Sequence, residues 1–384
     1  MKGLLRYLSP LAPDQSGAVA VLYGMECITV ICDAGGCTGN ICGFDEPRWQ
    51  GKPGAVFSAG LRDMDAILGR DDQLIEKLAD AAGRLDVSFS AIIGTPVPAV
   101  IGTDYRALAR MAEKKCGMPA LAIECTGTRL YDEGASDTYL ALFRTFPADE
   151  DRNSDGEKGR SAGTLPSGEA GPGVSSPEGK KRLLGILGMT PLDISLTDGL
   201  AFLEKNGIYE DYSGILAYGA GSGLEDVKKA SDAVENILVS PSGLKAARYL
   251  KKKYGTPYRW DYPFISGKLQ KELEGMTGRR VLVVHQQAAA SRARDIIEEA
   301  AGRTGSADRT EVVCAGWFLE SEELRRPGDL HLETEAQFAE VCSEGGFDAI
   351  IADPEFLRAA RMLGYRGELV EFPHFAVSGV MADE

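Results

Sequence analysis

Cys27-Ile-Thr-Val-Ile-Cys32-Asp-Ala-Gly-Gly-Cys37-Thr-Gly-Asn-Ile-Cys42 decides how this chain is read. The β-branched run at 28–31 predicts a strand, and the Gly-Gly pair predicts a turn just past its end. Cys37 then stands at the carboxyl end of a strand, where open α/β sheets collect their ligand chemistry. Four of the eight cysteines fall in these sixteen residues. Thiolates are the preferred ligands of iron–sulfur clusters. Each spacing is C-x4-C, a poor fit to a tetrahedral zinc knuckle. Cys27, inside the strand, reads as a small core hydrophobe. Cys37, on the turn, reads as a ligand.

The 384 residues exceed what one hydrophobic core holds, so two or three domains are expected. A net charge of −15 and a pI of about 4.9 argue against nucleic acid or an anionic membrane as the main partner. No apolar run reaches the roughly 18 residues that span a bilayer. Residues 1–8 do not read as a signal peptide. Without secretory context or disulfide spacing, the cysteines read as reduced thiols in a cytoplasm.

Outward from the opening stretch, strands alternate with helices, which predicts doubly wound parallel sheets. A first α/β domain is expected over 1–147, with strands at 18–23, 28–31, 89–93 and 120–124 and helices at 71–82, 105–115 and 135–144. Residues 148–181, rich in Gly, Ser, Pro and charge, predict a disordered linker or insertion. A second α/β domain is expected over 182–277 and a third over 278–384. The fold class is therefore α/β, with three Rossmann-like doubly wound parallel-sheet domains around a central cleft. The turn at 219–223 has the wrong glycine spacing for a nucleotide loop and reads as a tight strand-to-helix turn. His285-Gln286-Gln287 falls at the carboxyl end of the strand that opens the third domain. With His374 it is a candidate for binding or protonating a substrate, because histidine ordinarily titrates near neutral pH; a structural role at the domain seam competes with that reading.

Several segments, in order, resemble the nitrogenase component 1-type oxidoreductases. Cys32-Asp33-Ala34-Gly35-Gly36-Cys37 resembles the family's glycine-rich turn ending in a cluster cysteine. Ser58-Ala59-Gly60-Leu61 through Ile67-Leu68-Gly69, Ile101-Gly102-Thr103-Asp104, Glu124-Cys125-Thr126-Gly127 and Lys253-Tyr254-Gly255-Thr256-Pro257 resemble later family segments. The resemblance implies an oxidoreductase component that takes electrons from an ATP-dependent iron protein and reduces a small molecule in the interdomain cleft. It implies subunits that pair, as a homodimer or with a paralogous subunit. Two further family cysteines are replaced by Ser9-Pro10 and Thr95-Pro96, so only Cys37 maps onto a family ligand. The position at which nitrogenase holds its molybdenum–iron cofactor by a cysteine falls at Val239 or Ser240, and the loop after Phe372-Pro373-His374 is short. A dinitrogen reductase is therefore not expected. A 4Fe-4S cluster needs about four ligands. Cys37 and Cys42 from each of two chains would supply them at a two-fold axis, with Cys32 and Cys125, at strand ends, as additional cofactor-binding candidates. A non-catalytic scaffold for cluster or cofactor assembly is the alternative function. A cluster-free binding module of periplasmic-binding type shares the layered plan.

Overall fold

The computed structural model describes residues 3, 5–51, 54–148 and 182–382; the linker expected at 148–181 lies outside them but for residue 148. Three parallel sheets follow one another along the chain. The first holds β1 (Cys27–Ile31), β2 (Val56–Ser58), β3 (Phe89–Ile93) and β4 (Ala120–Ile123). The second holds β5 (Leu183–Leu187), β6 (Gly214–Ala217), β7 (Ala233–Leu238) and β8 (Tyr258–Trp260). The third holds β9 (Arg280–Val284), β10 (Glu311–Gly316), β11 (Leu330–His331), β12 (Ala349–Ala352) and β13 (Glu368–Glu371). The orders are 2-1-3-4, 6-5-7-8 and 11-10-9-12-13. Each sheet thus places its first strand centrally, with its second strand on one side and a later strand on the other. The chain reverses direction across the sheet at that first strand, so the turns after β1, β5 and β9 are three equivalent switch points.

The central strands are mostly apolar because helices cover both faces. β1 and β3 are buried at every position. The apolar cores run across the seams: one cluster joins Leu11 and Tyr131 to Leu192 and to Phe338 and Phe356 of the third block.

The strand expected at 18–23 is instead the end of a helix, Asp14–Leu22. All nine of its residues are buried. A helix apolar on every side has no 3.6-residue stripe to betray it, and a short apolar run of this kind also suits a buried strand. It crosses the helix Tyr131–Thr145 at bare backbone. A Cβ on Gly17 would lie 1.8 Å from the Tyr131 carbonyl oxygen, and one on Gly134 would lie 1.8 Å from that of Asp14. Residues 6–8 are clasped by the third block: the Glu335 carboxylate accepts from the amides of Arg6, Tyr7 and Leu8 at 2.8–3.0 Å.

Candidate functional site

The turn after β1 is built around Asp33, a carboxylate 1% exposed. It accepts from Thr38 N at 2.8 Å, Thr38 Oγ1 at 3.0 Å and Ser58 Oγ at 2.6 Å. These bonds pin the short helix Gly36–Asn40 to the ends of β1 and β2. Gly35, at φ 111°, makes the reversal that a side chain would resist. The helix continues into a wider π turn, Ile41–Asp45, that carries Cys42. Cys37 and Cys42 are both partly exposed, and all eight cysteines are free thiols. Burial, with the charge of Asp33 next, raises the Cys37 thiol; burial, then Glu46 and Asp33, raises that of Cys42. Both are thus protonated at neutral pH in the bare protein, and a metal must displace those protons to bind.

Cys32 and Cys125 are placed differently. Cys32 packs among Ile28, Val30, Ile92 and Tyr105, and burial pushes its thiol up to about 12. Cys125 is fully buried beside Ile123 and Leu121, its thiol likewise driven well up. Cys116 ends the helix before β4, at the opposite edge of the sheet. Among the described residues no three His, Cys, Asp or Glu side chains converge as metal ligands. The turn after β1 therefore carries two partly exposed thiols.

The turns after β5 and β9 meet at a buried junction. The His285 and His374 rings stack, centroids 4.3 Å apart and 11° from parallel. His285 Nδ1 accepts from Gln286 N at 2.8 Å, so its Nε2–H donates to the Pro373 carbonyl at 3.1 Å. Tyr131 Oη lies 2.9 Å from His374 Nε2 and 3.2 Å from Asp193 Oδ1. Asp193 also accepts from Thr190 Oγ1 at 2.6 Å, and its charged form is helped by Ser240. Asp353 accepts from His374 N at 2.9 Å and from Ser378 Oγ at 2.8 Å. Asp132, next to Tyr131, accepts from Leu319 N. Burial pushes Asp193 and Asp353 up to about 6 and Asp132 up to about 7.

The structure thus brings His285, Gln286 and His374 together but seals them, at 1%, 1% and 0% exposure. The near-neutral titration expected for the histidines is corrected. Burial lowers His285 to about 4 and His374 well below its usual range, with His285 adding to the latter. Gln286 is spent on holding backbone, since its Oε1 caps the next helix at Ala288 N and its Nε2 donates to the Val239 carbonyl. Asp193, Tyr131 and Asp132 were not singled out by sequence. Asp193 had a signal, since it follows β5 as Cys37 follows β1 and His285 follows β9.

The family model for nitrogenase component 1 type oxidoreductases matches residues 14–300, well over half of the chain. Two solved structures share its fold. "Nitrogenase Cp1 at pH 6.5" is 11% identical with a TM-score of 0.65, covering 97% of this chain and 88% of that one. "Nitrogenase Cp1 at pH 5" is 15% identical with a TM-score of 0.64, covering 100% of this chain and 86% of that one. No curated protein matches the chain. The glycine-rich thiol turn, the three parallel sheets and the extent of the match agree: the chain belongs to the nitrogenase component 1 type oxidoreductase family.

Proposed function

We propose that this chain is a cytoplasmic, nitrogenase-like iron–sulfur oxidoreductase component. Cys37 and Cys42 of two chains hold one 4Fe-4S cluster at a two-fold axis, an ATP-dependent iron protein supplies electrons, and a small molecule is reduced. The observation that carries this reading is the pair of partly exposed thiols on one Asp33-pinned turn, with every other strand-end thiol of the first sheet buried. Exposed apolar side chains on the elements that follow β1 and β3 support pairing with a second subunit. Phe57, Met64, Leu68, Val97 and Ile101 are exposed there, and Val100 is 86% exposed. An exposed apolar patch usually marks an interaction site. Among the described residues no helix is long and apolar enough to cross a membrane.

The scaffold alternative draws on the same exposure, since a cluster held at a surface is also one that can be handed on. Iron and acid-labile sulfide after strictly anaerobic purification test the shared premise. About two irons per chain are expected, lost in Cys37→Ala and in Cys42→Ala, with a dimer in solution. Iron-free protein in every case overturns the reading. Turnover with an iron protein, against iron transfer to an apo-acceptor, then separates enzyme from scaffold.

A further inference from the structure

The π turn that carries Cys42 forms one wall of a cavity of about 870 Å3. Its other walls come from the segment 10–15, from Thr197 and from the stretch 375–381, so all three blocks contribute. The space against His285 is about 20 Å3, room for one water. Of these two, only the larger has the capacity that small organic ligands need; a further cavity of about 550 Å3, lined by Phe264, Lys268, Lys271 and Arg279, lies away from the thiol turn.

Three features of its wall describe an occupant. The first is apolar: Leu11, Phe44, Phe375 and Val377 face the space, and Phe44 is 74% exposed, a large ring left in water. The second is electrostatic. Among the described lining residues are Asp45 and Glu46 and no Lys or Arg. Glu46 is neutralised by Arg48 at 2.7 Å. Asp45 accepts from Ser16 Oγ at 2.6 Å and Asn40 Nδ2 at 2.9 Å, and no described base pairs with it. An anion placed here would lose water and face the unpaired charge of Asp45 with no cation in the described lining. The third is an unmet bond. Gln15 lines the cavity, is 5% exposed, and its Oε1 has no hydrogen-bond partner among the described residues. A buried acceptor left unpaired destabilises a fold, and a bound donor relieves it.

We propose that this cavity, rather than the sealed junction, takes the protein's small-molecule ligand. That ligand is amphipathic and neutral or cationic. Its N–H or O–H donates to the Gln15 side chain while its apolar body lies against Phe44 and Phe375. Identifying it with the molecule to be reduced rests on the cluster reading above; its binding does not.

Proflavine, a planar aromatic cation with amino N–H donors, is a suitable probe. Anilinonaphthalene sulfonate, comparable in size but anionic, is the control. Fluorescence titration of the full chain should show saturable proflavine binding, with the anion roughly tenfold weaker or worse. Bound proflavine should protect Cys42 from iodoacetamide, read by mass spectrometry. Gln15→Leu should weaken proflavine roughly fivefold while holding or raising the melting temperature, because it removes the unpaired acceptor at similar volume. A merely structural glutamine would lower that temperature. Phe44→Ala, on the surface, should weaken binding with the melting temperature unchanged. No saturable binding, equal affinity in Gln15→Leu and Phe44→Ala, an anion bound as tightly as the cation, or unprotected Cys42 would overturn the proposal. Iron analysis of the same preparations scores the cluster reading separately.

Discussion

The turns after β1 and β9 occupy the same place in two sheets and have opposite surroundings. The first leaves Cys37 and Cys42 partly open. The second folds His285 and Gln286 inward, against His374, Tyr131 and the Pro373 backbone. Topology nominates both, because ligands collect where the strand order reverses. Packing decides between them. A thiol near solvent can exchange its proton for iron, whereas a stacked neutral imidazole pair with backbone partners holds three blocks in register.

The largest effect should come from breaking the sealed side. Asp193→Ala leaves the buried Thr190 hydroxyl without its acceptor and Tyr131 with His374 alone. A loss of roughly 3 kcal/mol is expected, seen as a lower urea midpoint, with iron per folded chain unchanged. Loss of iron alone, at unchanged stability, would reverse the assignment of the two turns.

The pH dependence sharpens the contrast. His285 is lowered to about 4 from an ordinary 6.5, so between those values the unfolded chain binds the extra proton and this group makes stability rise with pH. Asp193, Asp353 and Asp132 are raised, to about 6, 6 and 7 from 3.8. Over about pH 4–7 the folded chain holds their protons, and they make stability fall as pH rises. The two trends oppose each other. His285→Phe removes the rising one, so between pH 4 and 6.5 the variant's stability should fall more steeply with pH than the wild type's, by up to about 1.4 kcal/mol per pH unit. Parallel stability curves would show that His285 is not held neutral.

On the open side, Asp33→Asn removes the charge beside both thiols; its amide oxygen can still accept from Thr38 Oγ1 and Ser58 Oγ, while the bond from Thr38 N is lost. Cys37 and Cys42 should then alkylate faster at neutral pH, by peptide mass spectrometry; an unchanged rate would mean Asp33 only shapes the turn. The smallest effect belongs to the buried thiols. Cys32→Ala and Cys125→Ala should each cost about 1 kcal/mol of stability and leave iron content unaltered. Iron lost from either would return that cysteine to the ligand set.

Much of the frame was legible. The apolar runs at 28–31, 89–93, 280–284 and 349–352 are central strands, and Thr334 caps its helix reciprocally with Gln337. Edge strands escaped, β2, β8, β11 and β13 among them, because two to four residues, all but one of them half-buried or exposed, carry no clear alternation. The helix Asp14–Leu22 was hidden by its uniform burial. At the site, residue type and position found the thiols and the histidines. Whether each is open or enclosed depends on contacts between blocks hundreds of residues apart, such as Tyr131 with His374, which no local pattern encodes.

The clasp of Glu335 on residues 6–8 also sets an order of assembly. The cavity beside Cys42 is bounded by residues 10–15 and by residues 375–381. A ribosome emits the first of these segments long before the last. While the nascent chain grows, the thiol turn stands beside an unfinished wall. The wall is complete only once residues 375–381 are made and Glu335 holds residues 6–8. The cavity beside Cys42 is thereby finished late, well after the turn that forms its first wall.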